Sequence, residues 1–214
     1  MSLNMNQMIA SAPATRKEYP VAKAGNQPAR VIHVVDLGVQ KREWNGEVKE
    51  PARQLFLNFE LVNDEFEMDG EKMRHRISPR PYNVFNDQKA ALTKLLKVID
   101  PQGELQGDLS KLANMAVFIQ VIHNKKIKDG KEIVYANCGQ ISLPIEGYPV
   151  KELSQKAVVF SFDNPTVEDF KALPRFLQEK LKQAVNYPGS KVEAVVKQFE
   201  AEQGQAAKSI PAQY

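Results

Sequence analysis

The stretch Lys72-Met73-Arg74-His75-Arg76-Ile77-Ser78-Pro79-Arg80-Pro81-Tyr82-Asn83-Val84-Phe85 alternates in the manner of an extended strand. Lys72, Arg74, Arg76, Ser78, Arg80 and Tyr82 fall on one face, and Met73, His75 and Ile77 on the other. Neither Pro79 nor Pro81 can donate a backbone hydrogen bond, which places the strand's end at a sheet edge or outside the ladder. Four cations and an aromatic ring share a face, with no carboxylate between positions 72 and 85. A strand that tracks a polyanion needs that combination, charge for phosphates and a π-surface for bases.

The flanking sequence sets this strand third in a series. Arg30 to Gly38 reads as strand one, and Trp44-Asn45-Gly46-Glu47 holds an Asn-Gly hairpin signal. Strand two, Ala52 to Val62, points Leu55, Leu57, Phe59 and Leu61 one way and Gln54, Phe56, Asn58 and Glu60 the other. After strand three the period changes. Asn86-Asp87 can cap a helix in which Ala91, Leu92, Leu95, Leu96 and Ile99 form one apolar stripe, stopped at Asp100-Pro101. A short helical turn over Leu109 to Asn114 precedes strands at Ala116–Ile127 and Ile133–Leu143, joined through Asp129-Gly130. Three strands, a helix and two strands fit a mainly β fold with α elements. The expected architecture is a five-stranded Greek-key OB-fold barrel whose helix lies between strands three and four. A helix on an open antiparallel sheet is the alternative.

Beyond the barrel, Lys156 to Phe162 reads as one more strand, and Asn164-Pro165 as a helix start. Pro174 opens a second helix through Val185, and a last amphipathic piece carries Val192, Val195, Val196 and Phe199. The resulting division is a flexible arm at 1–28, the barrel domain at 29–163, a helical appendage at 164–203 and a disordered tail at 204–214.

With 214 residues, 43% of them hydrophobic, the chain can build one substantial core. Its net charge of +3 and pI of 8.8 are only mildly basic, so a polyanion reading depends on where the charge sits. One cysteine, Cys138, forms no internal disulfide and no thiolate cluster, and it reads as a small packed strand residue. His33, His75 and His123 sit far apart in strand-like runs and read as sheet residues rather than metal ligands. The sequence has neither an apolar run of bilayer length nor a signal pattern, which predicts a reducing cytoplasm.

In barrels of this type ligands lie across strands two and three, between the loops joining strands one to two and four to five. The first loop holds Lys41, Arg42, Trp44 and Lys49, with Arg53 just beyond. The other hairpin holds Lys125, Lys126, Lys128 and Lys131, and strand three supplies Lys72, Arg74, Arg76 and Arg80. Convergence on one groove is the expectation. Each feature also has a plainer reading: lysine-rich tips are solvated turns, and lysines on an edge strand deter sheet-to-sheet association. Glu43, Glu47 and Glu50 dilute the first loop's charge. Trp44 either folds back onto the barrel mouth or offers a stacking face. Phe56, among the polar residues of strand two, is a second stacking candidate; Tyr82 and Tyr135 are weaker ones. Asp36, Glu60, Asp64 and Asp69 share no ligand spacing, and neither a phosphate-cradling glycine loop nor a Ser-His-Asp arrangement can be assembled. The expectation is a non-enzyme without metal or cofactor.

Taken together, Ala29 to Gln40, the strand ending Phe59-Glu60-Leu61, and the segment Phe160-Ser161-Phe162-Asp163-Asn164-Pro165 with Phe170, Leu173-Pro174 and Gln178-Glu179-Lys180 resemble the single-stranded DNA-binding proteins of tailed bacteriophages. The resemblance spans residues 29 to 187. It implies a barrel that coats single-stranded DNA in phage replication, recombination or repair in the host cytoplasm, without catalysis. Phage replication proteins as partners and self-association on DNA follow from the same likeness. Many single-strand binders recruit partners through an acidic tail, and here the chain departs: Gly204 to Tyr214 has one lysine and no acid. Two other classes stay open. One is a protein–protein adaptor docking through an exposed helix face at Phe170, Leu177 and Leu181; the other is a metal-dependent nuclease.

Overall fold

The computed structural model describes residues 19–208, with side chains to residue 203. Five long strands carry the fold: β1 (Gly25–Trp44), β2 (Glu47–Met68), β3 (Glu71–Ile77), β5 (Ala116–Lys128) and β6 (Lys131–Ser142). Two short ones, β4 (Tyr82–Asn83) and β7 (Val158–Phe160), add to β2 and β1. The sheet is therefore seven-stranded, with β3-β2-β1-β5-β6 as its main path. All pairings are antiparallel except β7 with β1, which is parallel. β3 and β6 approach each other without pairing, so the sheet curls into a nearly closed barrel.

Turn chemistry sets the hairpins. Asn45-Gly46, Asp69-Gly70 and Asp129-Gly130 all have φ between 52° and 81°. Two consecutive left-handed residues make the tight turn that matches strand twist. The Asp69-Gly70 turn carries β2 six residues past its expected end at Val62 and starts β3 at Glu71. β1 also begins earlier than expected, at Gly25, because Gly25 to Arg30 pair with Ala116 to Val121. Of the expected arm at 1–28, residues 1–18 lie outside the described residues and the segment from Tyr19 to Lys23 is tied to β2, β3 and β5. There His75 Nε2 lies 2.9 Å from Pro20 O, His123 Nε2 lies 2.7 Å from Ala22 O, and Lys23 N–H donates to the buried Asp64 at 2.8 Å.

Two cores lie on opposite faces of β1 and β2. Leu55, Leu57, Phe59, Leu61 and Ile77 join the helix α1 (Ala91–Ile99) through Leu92, Leu95 and Ile99 inside the barrel. Cys138 packs against that core, where burial pushes its thiol up to about 11. α1 is capped at Ala90 with no side-chain bond; Asp87 instead closes the preceding turn by accepting Lys89 N–H. A 3₁₀ turn at Leu109–Leu112 follows as expected.

The second core lies outside the barrel, between β1–β2 and the helices α2 (Val167–Ala172), α3 (Arg175–Lys182) and α4 (Lys191–Lys208). Thr166, not Asn164, caps α2, its hydroxyl accepting Asp169 N–H at 3.0 Å. α4 continues to Lys208, so the expected tail boundary at Gly204 falls inside a helix; residues 209–214 lie outside the described residues. The layer is keyed to β1 at Gly38, whose φ of +68° and contact with Phe162 leave no room for a Cβ, which would sit 2.5 Å from that ring. No helix among the described residues is long and apolar enough to cross a membrane.

Candidate nucleic-acid interface

The helical layer changes what strand two can offer. Phe56 is only 5% exposed and belongs to the second core with Val35, Phe160 and Leu177. It is therefore not a stacking ring. At Phe56 the face of β2 that carries Gln54, Asn58 and Glu60 is covered by the layer built from Phe160 and the helices that follow. Phe170, Leu177 and Leu181 are buried in the same layer, so they offer no exposed docking face.

Strand three is changed in a second way. Register sets Arg76 opposite Glu60, Arg74 opposite Glu65 and Lys72 opposite Glu67. Glu60 is fully buried and accepts from Arg74 Nη1 at 3.1 Å, Ser154 N–H at 2.7 Å and Ser154 Oγ at 2.6 Å. Arg76 Nη2 lies 3.7 Å from the same carboxylate. Arg74 also donates to Glu152 O at 2.7 Å, and Arg30 donates to Val150 O, Lys151 O and the Glu152 carboxylate. A strap at residues 150–154 is thereby laced over the face that Arg74 and Arg76 were expected to offer a ligand. Three guanidiniums, of Arg30, Arg74 and Arg76, meet three carboxylates, of Glu60, Glu65 and Glu152. Lys72, by contrast, is exposed and forms no ion pair among the described residues.

Two other candidates are also structural. Arg53 holds Asp36 through both Nε and Nη2 and Asp163 through Nη2 at 2.6 Å, clamping β1, β2 and the segment after β7. The Asp36 carboxylate holds its guanidinium charged well above its ordinary range. Tyr82 packs against the barrel core, and burial pushes its phenol up to about 12.

Apart from a smaller hollow of about 480 Å³ lined by Lys72, Arg74 and Arg76, a cleft of about 780 Å³ opens beneath the β1–β2 hairpin. Lys41, Arg42, Lys49, Arg80 and Lys180 line it, with Glu43 and Glu50 as the opposing charges. Trp44, 61% exposed, stands at its rim, and Gln54 and Asn83 are bonded to each other in its wall at 2.9 Å. The Arg42 guanidinium lies 5.0 Å from the centre of the Phe85 ring while its Nη1 donates to Glu50 O. That stacking leaves Phe85 44% exposed beside the cleft. Lys49 is paired with Glu47, whereas Lys41, Arg80 and Lys180 have no carboxylate partner among the described residues.

The β5–β6 hairpin stands apart from this cleft. Gly25 pairs with Val121, so the lysine-bearing end of that hairpin extends past the start of β1, whereas Trp44 ends β1. Lys125 pairs with Glu132, Lys126 sits 6.0 Å over the Tyr135 ring, and Lys128 faces Lys131 across the turn. Tyr135 lines a separate hollow with Arg74, Arg76 and Tyr19. The fold thus brings Lys41, Arg42, Trp44 and Arg80 together and leaves the hairpin lysines elsewhere. Lys180 lines the cleft and Phe85 lies beside it against Arg42, and neither is marked as a site residue by the sequence. Phe85 was legible as an apolar ring after a Pro-rich strand end; Lys180 becomes visible only once α3 is folded onto β1, where its carbonyl accepts Gln40 Nε2. Among the described residues no group of three or more His, Cys, Asp or Glu side chains is arranged to hold a metal ion. No protein-family model, curated protein or solved structure matches the chain.

Proposed function

We propose that this chain is a sequence-tolerant single-stranded DNA-binding protein, built on a five-stranded Greek-key OB-type barrel with β4 and β7 as additions. In this reading it coats single strands in phage DNA replication, recombination or repair in the host cytoplasm. The observation that carries the proposal is the cleft under the β1–β2 hairpin. Lys41, Arg80 and Lys180, from β1, the β3–β4 connection and α3 and without a carboxylate partner among the described residues, line it, with the exposed rings of Trp44 and Phe85 at its side. Cations track a phosphate backbone and rings stack bases of any identity, which is the chemistry of sequence-tolerant single-strand binding. The strand order β3-β2-β1-β5-β6, with a helix between the third and fourth long strands, supports the barrel class.

Lys41, Arg42, Arg80 and Lys180 would neutralise about four phosphates, giving a log–log salt slope of about −3. A gel-shift series with single-stranded DNA, duplex DNA and RNA at several salt concentrations tests this. Salt-sensitive retardation of the single strand ahead of the duplex is expected; no retardation of single strands, or a preference for duplex, overturns the proposal.

A further inference from the structure

Just outside the cleft's lining, next to Lys180, α3 presents a further exposed ring. Gln54 lines the cleft, and Phe56 is two residues further along the same face of β2, about 7 Å away. Lys180 lines it too, and Phe176 lies one turn earlier on α3, about 6 Å along the axis. The two paths meet, because the Phe176 ring packs edge-on against Phe56 with centroids 5.9 Å apart. Its neighbours in α3, Leu177 and Leu181, are almost wholly buried, yet Phe176 is 57% exposed.

We infer that α3 extends the binding site, with Lys180 holding a phosphate and Phe176 stacking a base beyond those at Trp44. This rests on the single-stranded DNA reading and adds to it a second end for the bound strand, supplied by the C-terminal layer. The ring that shields Phe56 on its inner edge offers its outer face to a nucleobase. An aliphatic side chain at 176 keeps the shield and loses the platform.

The test uses the full chain, with Phe176→Leu and Lys180→Gln, and oligothymidylates of about four and about twelve nucleotides, within the range one barrel covers. Quenching of Trp44 fluorescence reads binding at the far end of the site. For the longer oligonucleotide Phe176→Leu is expected to weaken binding about 5- to 150-fold, the equivalent of one lost stacked base. The short one is expected to bind that variant within about twofold of the unsubstituted chain, and an unchanged melting temperature shows that the fold is intact. Lys180→Gln is expected to flatten the salt slope by about 0.7 on the longer oligonucleotide. Equal losses on both lengths, or no loss on either, remove Phe176 from the site while leaving the cleft reading in place. Failure of the unsubstituted chain to bind either length removes both.

Discussion

Replacing Glu60 by Gln separates a structural strand three from a ligand-binding one. Glu60 is fully buried and its carboxylate takes Arg74 at 3.1 Å, Arg76 at 3.7 Å and two bonds from Ser154. Breaking a buried, hydrogen-bonded ion pair typically costs about 3–5 kcal/mol. Two features reduce that here. The Arg76 side chain is about one-third exposed and is screened by solvent, and Arg74 keeps Glu65 at 3.4 Å and the Glu152 carbonyl. The amide also retains an acceptor for Ser154, so about 2–3 kcal/mol is expected for Glu60→Gln. For a domain of this size that lowers the melting temperature by about 4–12 °C. Urea melts of Glu60→Gln, Arg74→Met and the double variant should give a coupling energy of about 1 kcal/mol or more. Additive effects, or a loss below about 0.5 kcal/mol for Glu60→Gln, would refute the claim that this carboxylate organises the strand. The corollary concerns binding. Arg74→Ala with Arg76→Ala should cost stability and leave the salt slope nearly unchanged, whereas the sequence alone suggests a slope flattened by about one or more.

Two further outcomes follow from the second core and the buried histidine. Phe56→Ala should cost about 3–5 kcal/mol in a urea melt, against less than about 1.5 for Phe56→Leu; with Leu there, single-strand affinity should hold, and a tenfold loss would return this ring to the site. His33 is wholly buried, and burial, helped by Arg76, lowers its pKa to about 4, with Asn58 Nδ2 3.2 Å from its Nδ1. Because the folded value lies below the unfolded 6.5, His33 has no effect on stability above about pH 6.5 and opposes folding increasingly as pH falls toward 4. At pH 5 the cost is about 2 kcal/mol, which His33→Gln should abolish; an equal acid loss in that variant's melts would count against it.

Much of the fold could be read from residue order. The alternation Leu55-Leu57-Phe59-Leu61 gave strand two its inward face, and the stripe Leu92, Leu95, Ile99 gave the helix that the structure packs on the barrel core. Asn45-Gly46 and Asp129-Gly130 mark two hairpins, and the equivalent turn at Asp69-Gly70 carries strand two past the end that its alternation suggests. The site was less legible because it depends on register and on distant segments. Glu60 looks like a solvent-facing residue of strand two until pairing sets it opposite Arg76 and the strap at 150–154 closes over it. Phe56 reads as exposed until α3 covers it. For Trp44 the sequence leaves two placements open, folding back onto the barrel mouth or offering a stacking face, and in the structure the ring is exposed.

The most direct measurement is Trp44 fluorescence during titration with an oligothymidylate at four or five salt concentrations, for the unsubstituted chain and for Lys41→Ala with Arg80→Ala. Saturable quenching with a log–log slope of about −3, flattened by about 1.4 in the double variant, is the expected result. Emission unmoved by the oligonucleotide, or a slope indifferent to losing those two cations, would contradict a cleft built for single-stranded DNA.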